Sequence, residues 1–151
     1  MTVDTFAHIP ATAAISDLSA EDATRRLPDA PHTIAEIVTH LLFWQAWFLA
    51  RCQGEAHPMA ASAAVGWPDV SSESWPALRQ RFLTGRAALQ ALANEPNRAI
   101  EPPIECPPLA DHTIYDALVH VTIHSAYHVG QIVTLRQLMG LWPPATGTCT
   151  W

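Results

Sequence analysis

Thr33-Ile-Ala-Glu36 opens the segment that most limits how this chain can fold. A threonine followed three residues later by a glutamate is a capping box, in which each side chain satisfies a backbone N–H left over by the first helical turn. The helix that starts there should run to about Arg51 and stop near Gly54. Ile34, Ile37, Val38, Leu41, Leu42, Phe43, Trp44, Trp47 and Phe48 cover almost its whole circumference. A helix apolar on every side is either surrounded by the rest of its own chain or shared with a second subunit, so a homodimer is expected. Glu36, His40 and Gln45 interrupt the apolar run from Ile34 to Ala50, which is too short and too polar to cross a membrane. His40 falls in the middle of this surface, where an imidazole without a partner would be costly.

The remaining segments also read as helices. Residues 4–19 form a weak first helix, with Phe6, Ile9, Ala13 and Leu18 as a partial stripe and Pro10 limiting where it can begin. Ser19 to Asp22 resembles a second capping box, for a short helix ending at Pro28. After a long connection from Gly54 to Val70, a helix starts near Ser72 with Pro76 in its first turn. Trp75, Leu78, Phe82, Leu89 and Leu92, with Gly85 filling a gap, recur at alternating intervals of three and four, the pattern of a bundle helix. Pro96, Pro102, Pro103, Pro107 and Pro108 exclude helix from Glu95 to Ala110. So long a loop either covers a site or crosses between distant helices. The last helix takes Asp111 or Thr113 as its cap, runs to Met139 and ends on Gly140. The tail from Leu141 to Trp151 should pack back on the bundle or on a neighbour. No strand pattern and no repeat is present. The prediction is a single all-α domain over residues 1–151, a four-helix bundle with long crossover loops.

Composition removes several functions. Net charge is −6 with no basic cluster, which argues against nucleic acid as a partner. All eight Lys+Arg residues are arginine, so Schiff-base chemistry and a P-loop lysine are excluded. Cys52, Cys106 and Cys149 are odd in number and far apart, and the N-terminus carries no secretory pattern, so a reducing, cytoplasmic setting is expected. No GxSxG exists for a serine nucleophile.

What is left is a line of histidines. His120, His124 and His128 recur every four residues within the last helix, and Gln131 follows one turn past His128. Residues four apart on a helix stand one turn above each other with Cβ atoms roughly 6 Å apart, so two imidazoles can reach one ion. His124 and His128 are the first candidates, and His120 can replace one of them or stand behind them. A buried His40 on a second helix is what a closed bundle would offer as a third ligand.

Residues 33–44, Thr-Ile-Ala-Glu-Ile-Val-Thr-His-Leu-Leu-Phe-Trp, and 124–133, His-Ser-Ala-Tyr-His-Val-Gly-Gln-Ile-Val, resemble the DinB/YfiT-like family. The resemblance covers essentially the whole chain and extends to residues 135–144. It implies a four-helix bundle in which His40, His124 and His128 hold a divalent metal ion, zinc or nickel. It also implies kinship with thiol S-transferases and thiol-dependent isomerases. Three neutral imidazoles leave an ion's double charge uncancelled, which suits an open, Lewis-acidic site acting on a small molecule by hydrolysis or by thiol-group transfer. A water on such an ion would have its pKa lowered to roughly 7, and a thiol there would be a thiolate. The contrasting role is a non-catalytic module in which the ion ties two helices together. Gln131, Tyr127, His120, Trp44 and Glu36 are expected around the site, with Glu36 serving as a base or simply as the capping-box residue.

Overall fold

The computed structural model describes residues 8–70, 74–145 and 147. Its helices are α1 (Ala11–Ala14), α2 (Ala20–Thr24), α3 (Ile34–Cys52), α4 (Trp75–Leu92) and α5 (Ile114–Leu138). Short 3-10 turns lie at Ala63–Gly66 and Pro107–Leu109. Among the described residues there is no strand, only an isolated antiparallel bridge between Ala99 and Thr113. The fold is therefore all-α, as expected, with three long helices and a short N-terminal pair filling the remaining corner.

Both long capping boxes are formed. Thr33 accepts from the Glu36 N–H and Glu36 accepts from the Thr33 N–H; Thr113 and Asp116 do the same at the start of α5. Gly54 at φ 92° and Gly140 at φ 71° follow the ends of α3 and α5, in the left-handed conformation that glycine adopts without strain.

Two elements differ from expectation. The first helix shrinks to one turn over the described residues, because Asp17 is drawn away to Arg136 and to the Ala145 N–H. Residues 4–7 of that expected helix lie outside the described residues. α2 ends at Thr24, short of Pro28, where Arg25 turns extended and its guanidinium pairs with Asp22. α4 begins at Trp75, and its expected start at Ser72 lies outside the described residues.

α3 packs against α2, α4 and α5. Its apolar circumference is thus covered largely within this chain. His40 faces His124 and His128 while Phe48 faces His120, so α3 and α5 run antiparallel. Where α3 meets α4, the buried Gln45 amide donates to the Phe82 carbonyl at 3.0 Å. Gly85 makes this possible, since a Cβ there would lie 2.2 Å from Gln45 Nε2.

The core has two parts. One joins Ile15, Leu18, Ile34, Ile37, Val38, Leu41, Phe82 and Ile132; the other joins Trp47, Phe48, Cys52, Ile100, Ile104, Ile114 and Ala117. Along α3 the seam between them falls between Leu42 and Trp44, one turn beyond His40, and along α5 between Val121 and Val129, the stretch that carries His124.

The proline-rich loop is a crossover that plugs the second core with Ile100 and Ile104. The buried Arg51 guanidinium holds it to α3 by donating to the Pro102 and Pro103 carbonyls. The described start of the tail returns to its own bundle, with Leu141 and Trp142 against the first core, and residues 146 and 148–151 of the expected tail lie outside the described residues. No described helix is long and apolar enough to cross a membrane.

Candidate metal centre

α3 supplies His40, and α5 supplies His124 and His128 one turn apart. His40 and His128 are buried and His124 is half-buried. One ring nitrogen from each lies within 4.8 Å of the others. His124 Nε2 is 3.1 Å from His40 Nε2 and 3.1 Å from His128 Nε2.

The outer nitrogens decide the tautomers. His40 Nδ1 is 2.5 Å from the Gly66 carbonyl, and a carbonyl only accepts, so the proton sits on Nδ1. His128 Nδ1–H donates to Gln131 Oε1 at 2.6 Å. Neutral His40 and His128 therefore both present bare Nε2 lone pairs to His124. A neutral His124 has one proton at most to offer, so it can satisfy only one of them. A cation at the centre removes the conflict by accepting all three lone pairs. The spacing also suits one: tetrahedral zinc bonds of about 2.1 Å to nitrogen separate the nitrogens by roughly 3.4 Å. These residues fit a divalent ion, and no cysteine, aspartate or glutamate joins the group among the described residues.

Electrostatics keep the imidazoles neutral. Burial lowers the pKa of His40 and His128, and their hydrogen bonds to Gly66 and Gln131 offset part of this. His124 is lowered to about 4, first by desolvation and then by the neighbouring His128, His40 and His120. An unshifted histidine would let protons compete for the ion below about pH 6. Burial moves that competition lower. The same shifts govern folding of the metal-free chain. Its folded state binds fewer protons than the unfolded state, so stability is full above about pH 6.5 and falls as pH drops towards 4. Urea midpoints measured in chelator between pH 7.5 and pH 4.5 should therefore decline. They should decline less steeply in His124→Ala, and an equal slope in both proteins would contradict this origin.

The other candidates divide. Gln131 orients His128 directly. Tyr127 is 66% exposed and sets its ring edge-on to His128, with centroids 4.9 Å apart. His120 stands outside the group, against the Phe48 ring at 5.1 Å. Glu36 is engaged by the Thr33 N–H and by Arg26, and its carboxylate is 3.7 Å from His32, so it serves the helix cap. Trp44 has no ring contact with the three histidines and packs against Gly66 instead.

Three residues of the site were not singled out in the sequence. Gly66 supplies the carbonyl to His40. The Trp67 indole stacks on the His40 ring at 3.8 Å with 10° between planes, and His32 stacks on Trp67 with the same values. The connection from Gly54 to Val70, not the proline-rich loop, is what reaches the histidines. Its only outward hint is Gly66-Trp67-Pro68 after an alanine-rich stretch. A concavity of about 720 Å³ between α3, α4 and this same connection is lined by Leu42, Phe43, Trp47 and Met59 and by none of the three histidines.

The sequence profile of the DinB superfamily matches residues 11–132, a span that takes in all three histidines. The chain belongs to the DinB superfamily. No curated protein and no solved structure gives a significant match to it.

Proposed function

We propose that this DinB-superfamily chain is a cytoplasmic, metal-dependent enzyme that acts on a small molecule, by hydrolysis or by transfer of a group to or from a thiol. The observation that carries this proposal is the convergence of three neutral nitrogens from two helices, with no anionic side chain among them. His40, His124 and His128 would hold the ion, zinc or nickel. Bound there, a divalent ion supplies Lewis acidity and acidifies a water or thiol that meets it. The chain's own contribution is orientation: Gly66 fixes the tautomer of His40, and Gln131 fixes that of His128. Burial keeps all three rings unprotonated at neutral pH. A structural ion tying α3 to α5 would be better served by a fourth protein ligand, and His120 is turned to Phe48 instead.

Two copies of the chain are also part of this proposal. α3 leaves little surface for a partner, whereas Tyr115, Val119, Ile123, Tyr127 and Leu138 expose apolar side chains along α5. The test is a screen of ester, amide and thiol-conjugate substrates with zinc- and nickel-loaded protein. Activity should vanish in chelator and in folded His128→Ala, and return to wild type on adding metal. A folded, metal-loaded chain inactive on every class, or activity that survives chelation, would count against the enzyme.

A further inference from the structure

The turn at Ala63–Gly66 and the tryptophan after it do more to His40 than packing requires. Trp44, one turn beyond His40 on α3, presses its indole against Gly66. A Cβ on residue 66 would meet Trp44 Nε1 at 2.7 Å, and Cε2 and Cζ2 at 3.1 Å. These atoms belong to a rigid ring, so only glycine lets the backbone come this close. That approach brings the Gly66 carbonyl onto His40 Nδ1. The next residue then lays its indole flat on the His40 ring and its edge towards His128, with centroids 5.6 Å apart. The far face of Trp67 is closed by His32. One turn thus sets the tautomer of His40, the plane of its ring and its relation to His128. Its residues 63–65 are exposed, whereas Gly66 is buried and Trp67 half-buried.

We propose that Gly66 and Trp67 are positioning residues, a clamp that presents His40 Nε2 to the ion, so that metal binding and ordering of the 54–70 connection are coupled. This rests on the three-histidine metal site proposed above. Coupling of this kind is reciprocal: if the clamp strengthens metal binding, the metal must strengthen the clamp by the same factor.

The experiment is a titration with Co(II), followed by its visible absorption, on wild type, Gly66→Ala, Trp67→Leu and Trp67→Phe. Unfolding of the metal-free proteins is measured alongside. Gly66→Ala and Trp67→Leu should bind Co(II) about 10- to 100-fold more weakly, the usual consequence of losing an outer partner of a metal ligand. Trp67→Phe keeps a flat ring on His40 and should recover most of that loss, which a simple packing role would not predict. In wild type, Co(II) should slow amide hydrogen exchange across residues 63–67. Affinities equal to wild type in folded Gly66→Ala and Trp67→Leu would overturn the clamp. Should the variants fail to fold, the exchange measurement decides alone, and no slowing would overturn it. A wild-type chain that binds no Co(II) would instead overturn the metal site, and the clamp with it.

Discussion

His124→Ala should weaken binding of zinc or Co(II) by more than about 100-fold while leaving the helical content unchanged. An outer partner of a metal ligand is worth about 10- to 100-fold in affinity, and a ligand itself must exceed that. His124 is also the nitrogen closest to both others, 3.1 Å from each. Without it, the remaining pair comes from two different helices and has no third point to fix the ion. The metal-free fold should lose little, because the imidazole removed is desolvated and faces two lone pairs of which it can satisfy only one. Sites built for binding commonly cost stability in this way. Isothermal titration gives the first quantity and thermal unfolding in chelator the second. Affinity within a few-fold of wild type would remove His124 from the site. A large loss of metal-free stability would make it a structural residue.

Arg136→Met should lower stability by about 3–5 kcal/mol, the usual cost of breaking a buried, hydrogen-bonded charge. Arg136 is 2% exposed and sits where three parts of the chain meet. Its Nη1 donates to the Ala14 carbonyl at 2.9 Å and to Asp17 at 2.8 Å; Nε and Nη2 donate to the Leu141 carbonyl at 3.1 and 2.8 Å. Methionine keeps the apolar stem but leaves two carbonyls and a carboxylate without that partner. The Arg136 hydrogen bond is also the largest cause holding the Asp17 pKa low, so the variant should raise it. For a domain of this size each kcal/mol moves the melting temperature by about 2–4 °C, so a fall of about 6–20 °C is expected. A fall of a degree or two would mean that water replaces the guanidinium freely.

Arg136 also marks the limit of what could be read from the sequence. Helix ends set by neighbours in the chain were legible: Thr33 with Glu36, Thr113 with Asp116, Gly140 after Met139. The first helix was not, because its length depends on Asp17 meeting a guanidinium 119 residues away. The same division runs through the site. Spacing on one helix put His124 and His128 first but left His120 able to replace one of them. The pairing of α3 with α5 separates them, placing His40 against the last two and Phe48 against the first. Glu36 could have been a base or a cap by position, and its bonds to Thr33 and Arg26 make it a cap. Gly66 acts through its backbone carbonyl and through the absence of a side chain, which leave almost no mark in a sequence. Trp67 looked like any loop tryptophan because its partners, His32 and His40, lie far back in the chain.

The most direct test of the metal site is elemental analysis of untagged protein, purified without added metal or chelator and again after incubation with zinc, beside His40→Ala. The geometry predicts about one divalent ion per chain in wild type, and none retained by a variant that still folds. No retained metal in wild type after zinc incubation, or equal retention in the variant, would contradict the site and return the three histidines to the packing of α3 against α5.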